Sequence, residues 1–154
     1  MTQKSFTVLK ADHTGFCVTS LAEALPFWTD VLGFTLQRQG EIGPGEFLAK
    51  VAGITDHGLR FALLSGHGHQ VELCEYHGAP RDRVTDRMES IGAAHLCLLL
   101  DDLDAALAAM APHGWKPVGE AQILTAGPRA GTRVLFVSNP DNIHLELMQP
   151  PAAA

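Results

Sequence analysis

The feature that most constrains this chain is an internal repeat. Two halves run in the same order: strand, helix, glycine, then three or more strands. Superposing His13 on His95 also brings Leu21 onto Leu103 and Leu25 onto Leu107. With one residue of slippage Gly33 falls on Gly114, LGF against HGW. The closing segments match as well, so that Arg60 lies near Arg133 and Glu72 near Glu146. A single βαβββ unit is too small to bury its sheet face alone, and two must pair. The expectation is an α+β chain of two paired βαβββ modules in a single domain spanning 1–154. The first module takes 6–76, a linker 77–92 and the second module 93–149.

Local signals fill in this frame. Asp12 to Thr19 reads as a strand with His13, Gly15 and Cys17 on one face. Ser20-Leu-Ala-Glu23 is a capping box that opens a helix with Leu21, Leu25, Trp28 and Leu32 on its apolar side. Pro26 predicts a kink or a late start in that helix, and Gly33 ends it. Strands are expected at Phe34–Gln39, Glu46–Val51, Leu59–Leu64 and Gln70–Tyr76, with GEIGPGE as a turn-rich stretch. In the second half, Ala94–Leu100 is a strand placing His95, Cys97 and Leu99 on one face. Asp101 or Asp102 caps a helix through Leu103, Ala106, Leu107 and Met110. Trp115–Leu124, Thr132–Val137 and Ile143–Met148 are further strands, and Pro150, Pro151 and the alanines form a tail.

The chemistry gathers at four positions. His13, Glu72, His95 and Glu146 are each one polar residue in an apolar strand, a His opening and a Glu closing each half. Two imidazoles and two carboxylates form a mixed N/O donor set suited to one divalent ion: Zn, Ni, Co, Mn or Fe(II). Buried carboxylates without a cation would be costly. His144, two residues before Glu146, points to the same face as a proton relay or substrate contact. Arg60 and Arg133 are candidates for a substrate carboxylate or for plain solvent exposure. Arg81, Arg83 and Arg87 are candidates for a phosphate or CoA tail, but read rather as a solvated linker with Asp82 and Asp86 as partners, and His57, His67, His69 and His77 read as surface residues.

Composition narrows the partners. A formal net charge of −6 with His neutral argues against nucleic acid. No apolar run approaches the roughly 20 residues that span a bilayer, the longest being Leu96–Leu100. MTQKSFTVLKADHTG lacks the apolar core of a signal peptide. Cys17, Cys74 and Cys97 sit in apolar runs without CxxC spacing, as buried-looking reduced thiols of a cytoplasmic protein would. Cys17 and Cys97 read as packing residues.

The segments DHTGFCV, FWTDVLGF, QVELCEY, AHLCLLLDDLDAALAAM-HGW and NPDNIHLEL span nearly the whole chain. Together they resemble the vicinal oxygen chelate superfamily of glyoxalase, bleomycin-resistance and extradiol-dioxygenase relatives. The resemblance implies paired modules forming a cupped, mostly antiparallel sheet, and a divalent metal in the cup that takes two vicinal substrate oxygens. It maps the metal positions onto His13, Glu72, His95 and Glu146, a set similar to that of bacterial glyoxalase I and close to that of methylmalonyl-CoA epimerases. The implied activity is a metal-dependent lyase or isomerase, with proton abstraction beside the chelated oxygen by Glu146 or Glu72, and His144 assisting Glu146. The alternatives are a non-haem Fe(II) dioxygenase and a metal-free binding protein of the antibiotic-resistance kind. The expected partner is a small molecule with vicinal oxygens; a homodimer is expected, and nothing points to an organic cofactor.

Overall fold

The computed structural model describes residues 6–152 and divides the chain into two compact units, Met1–Ala79 and Pro80–Ala154. The first five residues of the stretch read for a signal peptide, and Ala153 and Ala154 of the tail, lie outside the described residues. No described helix is long and apolar enough to cross a membrane.

The first unit runs β1 (Thr14–Cys17), α1 (Leu21–Pro26), a π-helical turn (Phe27–Val31), β2 (Thr35–Ile42), α2 (Glu46–Ala52), β3 (Gly58–Gly66) and β4 (His69–His77). Its four-stranded sheet has the order β1-β4-β3-β2, with β1 parallel to β4 and the other pairs antiparallel. Side chains alternate along β4. Val71 and Leu73 turn inward with Leu64 and Ala62 of β3, joining Leu21, Phe27, Trp28 and Phe34 in a core where Trp28 packs edge-on to Phe34. Glu72 therefore lies on the opposite face of the sheet.

Ser20 caps α1 as the capping box predicts, its hydroxyl accepting the Glu23 N–H at 3.3 Å. Pro26 does not delay the helix, which starts at Leu21, but closes its α-helical part. The chain continues as a π turn that keeps Phe27 and Trp28 buried, because a proline has no N–H to extend the α ladder. Two expectations are corrected. Glu46–Val51 is helix, not strand: Leu48 alone is buried there, while Phe47 is 60% and Val51 71% exposed, and Gly53 closes the helix at φ +71°. Second, β2 runs on to Ile42, into the stretch read as turns, where Gly40 lets the Phe61 ring lie where a Cβ would sit 2.6 Å away; Gly43 to Gly45 are outside strand and helix, as expected.

The second unit runs β5 (His95–Leu99), α3 (Leu103–Met110), a 3₁₀ turn (Ala111–His113), β6 (Lys116–Pro117), β7 (Gln122–Ile123), β8 (Arg133–Ser138) and β9 (His144–Gln149). Its sheet has the order β5-β9-β8-β6, with β7 also on β8, and β5 is parallel to β9. Leu145 and Leu147 of β9, Val137 and Leu135 of β8, and Leu103 and Met110 of α3 form its core. Asp102 caps α3 through the N–H groups of Asp104 and Ala105, both at 3.0 Å. The single strand expected over Trp115–Leu124 is two short edge pairings, broken around Gly119.

Candidate metal centre

Register turns the sequence repeat into a structural one. Gly15 lies opposite Glu72 on the parallel strands β1 and β4; Cys97 lies opposite Glu146 on β5 and β9. The Val18 N–H donates to Cys74 O and the Leu100 N–H to Met148 O, both at 2.9 Å. Arg60 lies opposite Glu75, and Arg133 opposite Gln149.

Each unit holds one His–Glu pair on the sheet face away from its helix. His13 Nε2 stands 3.5 Å from Glu72 Oε2, and His95 Nε2 stands 3.3 Å from Glu146 Oε2. Neither contact has hydrogen-bond geometry. In the first pair the Asp12 carboxylate accepts from His13 Nδ1 at 3.1 Å, which orients the ring with Nε2 toward the Glu72 carboxylate. Two donors on a single ion at ordinary bond lengths stand about 3.0–3.4 Å apart. The spacing within each pair is close to that of two donors on one ion. Among the described residues, no group of three or more His, Cys, Asp and Glu side chains stands together so as to hold a metal ion.

Neighbouring groups orient the pairs. Lys10 and His13 hold the Asp12 carboxyl below its usual range, the Lys10 ammonium at 2.6 Å being the larger influence. Cys74 Sγ donates to Glu72 Oε2 at 3.6 Å. Burial first, then the Glu72 charge, push that thiol up to about 12, so it stays a donor. Cys97 is also raised, by burial and then by Glu146, to which it is hydrogen-bonded. Neither thiol is set up as a nucleophile. Cys17, read as buried, is exposed. His95 packs edge-on against Phe136 at 5.1 Å. His144 lies directly opposite His95, is 4% exposed, and its Nε2 is buried without a hydrogen-bond partner among the described residues.

Other candidates have structural roles. Arg60 reaches Glu75 at 3.0 Å and Glu41 at 3.4 Å; Arg133 grips Asp104 at 2.9 and 3.0 Å and Gln149 at 3.1 Å. Glu75 and Gln149 in turn accept the first N–H of their helices, Leu21 at 2.8 Å and Leu103 at 3.1 Å. A hollow of about 810 Å³ flanks Arg60, Glu75 and Ser20, on the opposite side of the sheet from Glu72, and its charges are engaged in this clasp. Arg83 binds Pro140 O and Asp141, and Arg87 binds Glu89, rather than Asp82 or Asp86. The histidines read as surface residues make contacts within the first unit. His67 donates to Leu32 O at 2.7 Å, His69 meets Thr14 Oγ1 at 3.0 Å, His57 meets Asp56 at 2.8 Å and His77 meets Glu41 at 3.1 Å. Sequence reasoning missed Asp12, although its place directly before His13 was a signal, and Arg129, for which no local signal exists.

Comparison with known proteins agrees with this architecture. The family model of the Glyoxalase/Bleomycin resistance protein/Dioxygenase superfamily matches residues 10–147, and the chain belongs to that superfamily. It is 30% identical over 149 residues to a 2-epi-5-epi-valiolone epimerase from Actinomyces sp, covering 92% of this chain and 80% of that protein. A glyoxalase family protein from Bacillus cereus superposes with a TM-score of 0.81 at 20% identity, over 98% of this chain and 100% of that one. The fosfomycin resistance protein FosX from Listeria monocytogenes, solved as a mutant with Mn(II) and 1S,2S-dihydroxypropylphosphonic acid, superposes with a TM-score of 0.59 at 11% identity, over 94% and 93% of the two chains.

Proposed function

We propose that the protein is a divalent-metal-dependent epimerase or isomerase acting on an α-hydroxy ketone or a similar compound with vicinal oxygens. The observation that carries this reading is the His–Glu pair in each unit, nitrogen and carboxylate side by side at 3.3–3.5 Å without a hydrogen bond. The relative named as an epimerase supports the reaction subclass, and the Mn(II) in the FosX structure supports a metal on this fold.

His13, Glu72, His95 and Glu146 would hold the ion, with Asp12 orienting His13. When bound, the ion supplies Lewis-acid polarisation of a substrate oxygen, which makes the neighbouring C–H more acidic. The residues do the rest. Glu146 Oε1, the oxygen turned from His95, takes the proton from that carbon and returns it to the same or a neighbouring carbon. The protonated thiol of Cys97 steadies the Glu146 carboxylate. His144 Nε2, unpartnered on the same face, is a second site for the proton.

The test is the metal content of untagged protein by plasma mass spectrometry, beside His95→Ala, followed by deuterium exchange into α-hydroxy ketones. Near-stoichiometric Ni, Co, Zn or Mn that is lost in the variant, with exchange that depends on it, supports the reading. Oxygen-sensitive iron would replace it with the dioxygenase reading. A protein that takes up no metal even on reconstitution overturns both.

A further inference from the structure

Arg60, Arg83, Arg87 and Arg133 each face a carboxylate. Arg129 does not: among the described residues no carboxylate lies within ion-pair distance of its guanidinium. It faces sulfur instead, Nη1 donating to Met148 Sδ at 2.8 Å and the same group hydrogen-bonding the Cys97 thiol. Sulfur is a weak acceptor, and a guanidinium carries five N–H donors in a planar fork, so most of its capacity is unspent. The side chain is presented from an ordered turn. The Gly131 N–H bonds Leu124 O at 2.8 Å, Ala130 N–H bonds Gly127 O and Thr132 N–H bonds Arg129 O, both at 3.1 Å, with Gly127 and Gly131 at φ +81° and +87°.

Its position matters. Met148 lies two residues beyond Glu146 on the same face of β9, and Cys97 lies directly opposite Glu146. Met148, which the guanidinium touches, is thus two residues, about 7 Å along the strand, from Glu146. Beside the guanidinium opens a hollow of about 240 Å³ with largely apolar walls from Leu99, Pro128, Pro150 and Pro151. We infer that Arg129 recognises an anionic oxygen group of the substrate, a carboxylate or phosphate carried a few bonds away from the vicinal oxygens. The inference rests on the proposed metal reading for the orientation of the substrate, but anion recognition by Arg129 does not itself need the ion. An anion in the hollow would exchange two sulfur contacts for bidentate, charge-assisted bonds.

The experiment compares wild-type protein with Arg129→Gln, which keeps polarity and removes the charge, at an exposed turn where folding is checked by thermal unfolding. Calorimetric titration uses dihydroxyacetone as the neutral probe, dihydroxyacetone phosphate as the phosphate arm and hydroxypyruvate as the carboxylate arm, each on metal-loaded and metal-free protein. The expected result is that at least one anionic probe binds wild type about tenfold or more tightly than dihydroxyacetone. That preference disappears in Arg129→Gln while metal content stays unchanged, and the arm showing it identifies the group. On metal-free protein the Arg129-dependent preference persists with weaker affinity, so that it stands even if no metal site is found. A wild type without anion preference, or a preference that survives the substitution, overturns the inference.

Discussion

The two modules fasten helix to sheet with the same clasp and different charges. In the first, Arg60 binds Glu75 and Glu41, and Glu75 takes the opening N–H of α1. In the second, Arg133 grips Asp104 on the helix itself with two hydrogen bonds, and the neutral Gln149 takes the opening N–H of α3. The difference shows what the repeat conserves. Positions and donor–acceptor roles persist, while the charge that fills each role moves from strand to helix. The pairs on the other faces follow the same rule. Glu72 has Gly15 opposite, with open space around its missing Cβ, and a thiol two residues along its own strand. Glu146 has the Cys97 thiol opposite and His144 beside it. The second carboxylate thus has, besides the histidine it faces, the buried and unpartnered Nε2 of His144 on its own strand.

The largest expected effect tests that asymmetry. Glu146→Gln should slow deuterium exchange into substrate by about 100-fold or more, the usual contribution of a positioned base, while some metal remains bound. Glu72→Gln should act mainly by weakening the metal, so that excess metal restores much of the rate. Equal loss in both variants, or rescue of Glu146→Gln by metal, would make the two carboxylates interchangeable and break the comparison.

The clasp gives the next effect. Glu75→Ala removes a charged acceptor from Leu21 N–H and from Arg60, and should cost about 1.5–3 kcal/mol in chemical denaturation. Gln149→Ala removes a neutral one and should cost about 0.5–1.5 kcal/mol. The reverse order would mean that the charge of the acceptor does not set the strength of the clasp.

Much of this was legible in the sequence, for reasons of period. Glu72 and Glu146 each alternate with buried apolar neighbours, Val71 and Leu73 or Leu145 and Leu147, and so lie on the face away from the helix. Ser20 and Asp102 were legible because capping is local. The helix α2 was not. Phe47, Leu48 and Val51 look like a strand when apolar content is counted, but the structure leaves Phe47 and Val51 in solvent. The Glu46–Lys50 pair and Gly53 were the helix signals. Arg60 and Arg133 were read as substrate or surface charges because their partners lie 15 or more positions away. Arg129 went unremarked for the same reason: its two sulfur neighbours come from other strands.

Glycines closing the two helical segments sharpen the comparison further. Gly33 and Gly114 sit at φ +72° and +81°, where an alanine costs about 1–2 kcal/mol in either module. At Gly33 an added Cβ meets only His67 Nε2 at 3.9 Å, whereas at Gly114 it meets the Pro140 ring at 3.2 and 3.3 Å. Thermal unfolding should therefore rank Gly114→Ala below Gly33→Ala. Equal melting temperatures would show that the proline ring yields freely.

The smallest expected effect is a slope in stability at alkaline pH, and it again separates the modules. Burial and Glu72 raise Cys74 from 9.0 to about 12 in the folded chain. Between those values the unfolded chain has lost the thiol proton while the folded chain keeps it, so the unfolded state binds fewer protons and stability falls as pH rises. Below 9.0 both states hold the proton and this contribution is intact. Tyr76, raised chiefly by burial, adds a loss of the same sign above 10.0. Cys74→Ala should flatten the fall that begins near pH 9, whatever it does to stability at neutral pH, and leave the Tyr76 part. Cys97→Ala should flatten it less, because Arg129 beside that thiol opposes the rise. A Cys97 variant with the larger effect would mean that the second carboxylate, not the first, is the one held by the more firmly protonated thiol.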